Sequence, residues 1–262
     1  MNFNSPKQIV EVVGLSAQAR TKNSISTTLV LAFLGGAYIA LGGLLAIVIG
    51  GGVPGIAAAN PGISKFLMGA AFPVGLMLVA IAGGELFTGN TAYFIPPVAS
   101  GKLPVSSMLK NWGLVYIGNF FGAIFVAYFV GYLTGTLTAE PWKQFTLHIA
   151  EVKTTAPFYK VFFKGMACNW FVAIAMWLAY ASNHISGKIL GIWFPIMAFV
   201  AMGFEHCVAN MFFIPSAMLL GAPITWGDFI VNNLIPATLG NIAGGSILVG
   251  GLYWYAYGEK RS

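Results

Sequence analysis

Long apolar stretches, separated by short polar segments, run through most of the chain. They lie at about residues 27–51, 66–99, 113–135, 161–181, 189–221 and 230–256. Stretches of this length and composition are typical of helices that cross a lipid bilayer. They predict an all-α polytopic membrane protein with six transmembrane segments. Residues 1–26 come before them, and the helical spacing of Ile9, Val12, Val13 and Ala17 there predicts an interfacial amphipathic helix.

The composition supports a protein surrounded by lipid. Of the 262 residues 58% are hydrophobic and 8% are charged, whereas about 25% are charged in soluble proteins. So few charges cannot cover a water-facing surface, which excludes a soluble domain, a disordered chain and a nucleic-acid binder. The net charge of +6 is spread through the loops, and we interpret it as topogenic and lipid-contacting charge. Cys168 and Cys207 lack metal-type spacing and are predicted to be packing residues.

Two of the apolar stretches are too long for a single membrane crossing. The 34 residues of 66–99 would form a helix of roughly 50 Å, against a hydrocarbon core of about 30 Å. The stretch at 189–221 has the same problem, and each stretch contains one acid among glycines and polar residues, Glu85 and Glu205. We therefore predict two broken helices, whose non-helical backbone is buried by protein or lines a cavity.

The two broken stretches belong to an internal repeat. Each contains Phe-Pro, then a glutamate five residues before an asparagine, then Phe-Ile-Pro. The spans that follow share one spacing at an offset of 122 residues, with Asn111, Gly118, Asn119 and Gly122 matching Asn233, Gly240, Asn241 and Gly244. Because each copy has an odd number of spans, the copies enter the membrane from opposite sides. This predicts an inverted repeat with a substrate path where the two breaks meet.

The repeat sets the predicted domain organisation and topology. The repeats occupy residues 27–135 and 161–256, with an extracytoplasmic loop at 136–160 and a tail at 257–262. Six spans put both termini on one side of the membrane. With that side cytoplasmic, eight basic residues lie inside and five outside, a modest positive-inside bias. We expect a multi-pass protein of the plasma or inner membrane with cytoplasmic termini.

The breaks carry the residues best suited to chemistry on a solute. His206 is the only histidine within a predicted span, and it can exchange a proton with a weak acid near neutral pH. The alternative is a neutral, hydrogen-bonded core histidine, with Thr88 and either Asn169 or Glu205 as candidate partners. We interpret Glu85 and Glu205 as structural acids that cap backbone amides or pair with donors, because a free carboxylate would repel an anion.

Lys153 lies just before the fourth span and is either an anion-gathering residue at the outer mouth or a solvated loop lysine. We expect no metal, no cofactor and no enzymatic activity, because a membrane hydrolase would have to rely on Thr88 and His206 alone. A passive facilitator of water or glycerol is the alternative of another class. The paired Asn-Pro-Ala breaks expected of such a protein are absent from the sequence.

These motifs resemble the formate/nitrite transporter family over nearly the whole chain. The matching segments are residues 84–90 (GELFTGN), 203–212 (GFEHCVANMF), 111–119 and 233–241. The resemblance implies a homopentamer with an aquaporin-like pore in each protomer. It implies an outer constriction at Phe72, Val172 and Phe199 and an inner one at Leu76, Leu86 and Phe87. It also implies that Thr88 contacts His206, that Asn169 is a polar partner and that Lys153 lies in the vestibule. Arg20 or Lys22 stands where the family often has a lysine.

The six constriction residues are of the types found in the formate-channel branch, so we expect formate to be the solute. Two apolar rings in series favour the neutral acid, or formate with a proton, because a desolvated anion is costly. Nitrite, hydrosulfide and lactate remain alternatives within the family. An anion channel with a cationic His206 remains an alternative mechanism.

Overall fold

The computed structural model describes residues 3–259, and these are almost entirely helical. The last residues of the predicted tail lie outside this range. The helices are α1 (Pro6–Arg20), α2 (Ile25–Gly51), α3 (Pro54–Ala59), α4 (Pro61–Gly83), α5 (Phe87–Tyr93), α6 (Ile95–Ala99), α7 (Val105–Tyr132), α8 (Trp142–Thr155), α9 (Phe158–Ala181), α10 (Ile185–Ala201), α11 (Cys207–Leu219) and α12 (Trp226–Tyr257).

Five helices are long and apolar enough to cross a membrane: α2, α4, α7, α9 and α12. The remaining predicted span, 189–221, is divided between α10 and α11, which are shorter apolar helices. The all-α, six-span prediction is thus confirmed in the form of five long helices and one divided span. The segment predicted as an extracytoplasmic loop, 136–160, contains the amphipathic helix α8.

Both long apolar stretches are broken, as predicted. Helix α4 ends at Gly83 and α5 begins at Phe87, while α10 ends at Ala201 and α11 begins at Cys207. The chain turns through Gly83 at φ +104° and through Gly203 at φ +69°. Residues with a Cβ rarely adopt these angles, so glycine permits the turn at equivalent points of both breaks.

The two repeats pack in the same way. Helix α2 pairs with α7 in the first repeat, and α9 pairs with α12 in the second. Glycines bring the paired backbones into contact: a Cβ on Gly122 would overlap the carbonyl oxygen of Phe33, and one on Gly244 would overlap that of Met166. Close approach of helix backbones through small residues is typical of membrane helices, because lipid provides little hydrophobic force to drive their association.

Helix α1 begins at a capping box, in which the Ser5 hydroxyl accepts from the Gln8 amide. Its apolar face, with Ile9, Val13 and Ala17, is buried against the rest of the protein. This face of α1 is therefore covered by α6 and α9. The sequence alone predicted that α1 lies at the membrane interface.

Candidate functional site

The first break is held by an asparagine from α7. The Oδ1 atom of Asn119 accepts a hydrogen bond from the Phe87 amide at 2.9 Å, which satisfies the first free donor of α5. Its Nδ2 donates to the carbonyl oxygens of Glu85 at 2.8 Å and Ala32 at 2.7 Å. One buried side chain thus bonds both sides of the break and ties them to α2.

The second break uses the matching asparagine of α12. The Oδ1 atom of Asn241 accepts from the Cys207 amide at 2.8 Å. Its Nδ2 donates to the carbonyl oxygens of Glu205 at 2.9 Å and Gly165 at 2.8 Å. The pattern repeats that of the first break bond for bond, so in both repeats one buried asparagine side chain bonds the backbone groups that the break leaves free.

Glu85 is a buried acid in an ion pair with the end of α1. Its Oε1 atom lies 2.7 Å from Nε of Arg20, and its Oε2 accepts from Asn90 Nδ2 at 2.6 Å. The Arg20 guanidinium also bonds the Ser16 hydroxyl and lies 5.1 Å from the centre of the Tyr93 ring. Of the two N-terminal basic candidates, Arg20 is therefore the one at the break.

Glu205 has an equivalent environment in the second repeat. Its Oε2 atom accepts from Lys153 Nζ at 2.9 Å and from Asn210 Nδ2 at 2.7 Å, and Asn233 Nδ2 lies at 3.2 Å. The Lys153 ammonium also lies 5.8 Å from the centre of the Phe213 ring. Only 13% of the Lys153 side chain is exposed, so Lys153 is not a solvated loop lysine: it lies on α8 and its charge is matched by Glu205.

His206 is the N-cap of α11 and faces the first break. Its Nδ1 atom accepts a hydrogen bond from the Ala209 amide at 3.0 Å, and its Nε2 lies 2.9 Å from Thr88 Oγ1. Because Nδ1 is an acceptor, a neutral ring carries its proton on Nε2 and donates it to Thr88. A second proton on Nδ1 would face the Ala209 N–H group, so this cap favours the neutral ring.

Among residues 3–259, Asn169 does not bond His206, the partner considered for it. Its Nδ2 atom lies near the Thr88 carbonyl at 3.1 Å, Thr91 Oγ1 at 2.9 Å and the Asn241 carbonyl at 2.6 Å. No hydrogen bond joins it to His206 or to Glu205 in the described chain. Asn169 thus supports the backbone that presents Thr88.

A cavity of about 500 Å³ leads to His206 from the end of the molecule where α8 lies. We call it the α8-side cavity. Phe72 and Phe199 line its deep end, with ring centres 5.9 Å apart, and the Phe199 ring stacks on His206 at 6.1 Å. Its basic lining residues are Lys65, Lys153, Lys164 and His148, and Glu205 is the one acid among its lining residues within 3–259.

A second cavity, of about 270 Å³, opens toward α1, and we call it the α1-side cavity. Leu76 and Leu86 line it, together with Arg20, Glu85 and Lys188. The predicted constriction residues Phe87 and Val172 line neither cavity in the described chain. Phe87 instead packs edge-on against Tyr116 and Trp112 of α7, at 4.8 and 6.2 Å, and Val172 is buried on α9.

The sequence model of the formate/nitrite transporter family matches residues 7–255. The chain belongs to the formate/nitrite transporter family. A "Probable formate transporter" of Methanothermobacter thermautotrophicus is 46% identical over 98% of both chains. A "Formate channel" of Bacillus thuringiensis is 42% identical over 100% of this chain and 99% of the relative.

Solved structures agree with this membership of the formate/nitrite transporter family. An "FNT family ion channel" superposes with a TM-score of 0.87 at 32% identity, covering 95% of this chain and 98% of that one. A "Pentameric formate channel with formate bound" superposes with a TM-score of 0.77 at 33% identity, covering 89% and 97%. This chain is accordingly a multi-pass membrane protein of a family of transporters and channels, not an enzyme.

Sequence reasoning missed several basic residues of the α8-side cavity, among them Lys164. Lys164 was counted only among the charges outside the membrane, although it lies on α9 and lines the cavity that reaches His206. A sequence signal for it exists: Lys164 precedes Asn169 by five residues, so both lie within the same apolar span.

Proposed function

We propose that each protomer moves formate across the membrane, together with a proton, through the closed waist between the two cavities. One observation carries this proposal: the Nε2–H group of His206 lies at the deep end of the α8-side cavity, next to Thr88 of the facing break. The family membership supports it, as do the names of the formate transporter and channel relatives.

The charge of the cavities favours an anionic solute on both sides. Basic residues outnumber carboxylates among the described lining residues, with Glu205 the acid of one cavity and Glu85 that of the other. Because Arg20 and Lys153 already bind these two acids, the remaining lysines give each cavity an excess of positive charge. An anion therefore concentrates at both mouths.

The waist favours the neutral acid over the anion. Phe72, Leu76 and Phe199 are each no more than 2% exposed, so a solute passing them loses its water. Desolvation raises the cost of a carboxylate far more than that of a carboxylic acid, and formate therefore takes up a proton as it enters. The Nε2–H group of His206 then provides one hydrogen bond at the driest point.

The neutral state of His206 favours this mechanism over an anion channel, in which the imidazole would be cationic. The Ala209 amide occupies Nδ1, so a cationic ring would lose the cap of α11. We infer that His206 acts as a neutral donor during passage and takes up a proton only when that cap opens.

We further propose a homopentamer in the plasma or inner membrane, with both termini cytoplasmic and the α8-side cavity outside. The support for five subunits is the pentameric relative. Large apolar side chains such as Phe121, Phe129 and Ile247 are exposed on the lateral helices of the isolated chain, where lipid or a neighbouring subunit would cover them.

Transport assays with the purified protein in proteoliposomes test the proposal. We expect formate uptake that rises as the external pH falls, with slower uptake of nitrite, lactate and hydrosulfide and no swelling in glycerol. Nitrite uptake faster than formate uptake would reassign the solute within the family. Glycerol swelling without formate uptake would contradict the proposal and favour a neutral-solute facilitator.

A further inference from the structure

Helices α2 and α9, the first spans of the two repeats, contact the two breaks at equivalent positions. In this alignment Leu31 of α2 is equivalent to Lys164 of α9. The Glu85 amide donates to the Leu31 carbonyl at 3.0 Å, and the Glu205 amide lies 3.4 Å from the Lys164 carbonyl oxygen. The two carbonyls thus play the same part in the two halves of the molecule.

Two further pairs of equivalent contacts confirm this alignment, in which residue numbers in the two helices differ by 133. The carbonyls of Ala32 and Gly165 accept from Asn119 and Asn241 respectively. The carbonyls of Phe33 and Met166 lie against equivalent glycines of α7 and α12. Lys164 therefore stands where the first repeat has a leucine, although the backbone around it is the same.

This difference places a charge in one cavity and an apolar side chain in the other. Leu31 lines the α1-side cavity and Lys164 lines the α8-side cavity. Since leucine fills the equivalent position without loss of the backbone bonds, the scaffold does not require a lysine there. We therefore look for the role of Lys164 in a ligand of the α8-side cavity.

The Lys164 ammonium is available to a ligand. Lys164 is half-buried, and its side chain has no hydrogen bond or ion pair within residues 3–259. Lys153, in the same cavity, is bound to Glu205 at 2.9 Å, and Lys65 is exposed at the rim. Lys164 is thus the partly desolvated cation of this cavity whose charge is not matched by a protein carboxylate.

We propose that Lys164 forms an anion-binding subsite in the α8-side cavity, where a small monovalent anion waits before it enters the waist. This inference rests on the proposed function and adds a specificity-determining residue to it. A single unmatched ammonium in a cavity that Phe199 and Phe204 also line suits one negative charge and a small volume, rather than a phosphate or a dicarboxylate.

Three variants of the full chain test the subsite in proteoliposomes. Lys164→Leu introduces the residue of the first repeat, which the same backbone accommodates, and Lys164→Arg keeps the charge. Lys160→Leu is the matched control, because Lys160 lies one turn earlier on α9, is exposed and is not among the residues that line the cavity. The readout is the formate concentration that gives half-maximal uptake at low and at high salt.

We expect Lys164→Leu to raise the half-saturating formate concentration about tenfold at low salt, the effect of losing a charge-assisted hydrogen bond. Lys164→Arg should lie closer to the parent than Lys164→Leu does, because it keeps the charge, and Lys160→Leu should remain near the parent. Salt should reduce the difference between parent and Lys164→Leu. The same value for Lys164→Leu and Lys160→Leu would overturn the subsite.

A second measurement does not depend on transport. Peptide mass spectrometry can follow the modification of Lys164 and Lys160 by trinitrobenzenesulfonate in the purified parent protein. We expect sodium formate to slow modification of Lys164 but not of Lys160, and sodium gluconate to slow neither. Protection of Lys164 by formate, in a protein that does not take up formate, would support the subsite and contradict the proposed function. Formate uptake without protection of Lys164 would support the proposed function and contradict the subsite.

Discussion

At the scale of single residues, the two repeats differ at the positions of His206 and Thr88. The offset that relates Glu85 to Glu205 relates Leu86 to His206 and Thr88 to Val208. The backbone bonds of each break are shared by both copies, whereas the imidazole and the hydroxyl that meets it occur once each. Identical positions thus build the breaks, whereas the residues that we propose to act on the solute stand at positions where the two copies differ.

His206→Asn should change the pH dependence of formate uptake more than it changes the fold. An asparagine is a favourable N-cap and can accept from the Ala209 amide as His206 does, but it cannot bind a proton. We expect uptake by this variant to vary less with pH than parent uptake does, because the imidazole that takes up a proton when its cap opens is gone, and the measurement is made in proteoliposomes with an internal pH indicator. His148→Asn is the control, because His148 is an exposed histidine of the same cavity.

If His206→Asn keeps the pH profile of the parent, the imidazole has no part in proton movement. A shift produced equally by His148→Asn would place the titrating group in the open cavity rather than at the waist.

The contact between Thr88 and His206, which lie 118 residues apart, was one of the partner choices offered by the two facing breaks, and the resemblance to the family selected it. Asn169 was recognised as a buried polar residue of an apolar span, but its partners could not be derived from the sequence. Its amide bonds backbone carbonyls that only the packed breaks bring together. Lys153 was predicted to be either an anion-gathering residue at the outer mouth or a solvated loop lysine, and its burial was not foreseen because its partner, Glu205, is 52 residues away.

At the scale of elements, each break contains a buried ion pair. The Lys153 and Glu205 side chains are 13% and 5% exposed, so neither charge is well hydrated when its partner is removed. Breaking such a pair costs about 3 kcal/mol or more, whereas removing both charges costs less. We therefore expect Glu205→Gln to lower the Tm of the purified protein and the double variant with Lys153→Met to recover part of the loss.

Glu151→Gln is the control for this series, since Glu151 is an acid of the same helix as Lys153 with 73% of its side chain exposed. A Tm for Glu205→Gln equal to that of Glu151→Gln would show that the pair does not stabilise the second break.

Gly122→Ala should disrupt the pairing of α2 with α7. The added Cβ would overlap the backbone carbonyl oxygen of Phe33, which no change of rotamer can relieve. We expect more than the roughly 1–3 kcal/mol typical of an overpacked core, seen as a lower Tm and a broadened peak in size-exclusion chromatography. Gly113→Ala on the same helix meets nothing within 4 Å and should leave both measurements unchanged, and a similar result for the two variants would contradict this account of the helix pairing.

The helical elements were more predictable than the side-chain contacts, for physical reasons. Stretches that exceed the bilayer thickness must break or tilt, and the glutamate within each of them indicated a break. Helix α8 was not foreseen because it is short and amphipathic, with no long apolar run. The burial of α1 against the protein was also missed, since helical spacing alone cannot distinguish a protein surface from a lipid surface.

At the scale of the whole molecule, two cation-rich cavities approach each other and are separated by apolar side chains. Such an arrangement excludes hydrated ions by the cost of dehydration rather than by charge, because the mouths attract the anions that the waist then desolvates. The inverted repeat explains why the two mouths are alike. The two mouths differ in charge at one equivalent position, where the first repeat has Leu31 and the second has Lys164.

We expect the rings at the waist to limit the size of the solute, and Phe72 is the residue to test. Its ring lies 5.9 Å from Phe199 and 6.4 Å from Phe213, so Phe72→Ala would widen the passage from the α8-side cavity toward Leu76. We expect the ratio of lactate uptake to formate uptake to rise about tenfold, since a hydrophobic pocket discriminates by this order for each methylene. The repeat provides the control: Phe194 also precedes a proline, but it is 57% exposed, and Phe194→Ala should leave the ratio unchanged. If Phe72→Ala also leaves it unchanged, the selecting constriction lies elsewhere, and the larger acid is then rejected at the leucines that line the α1-side cavity.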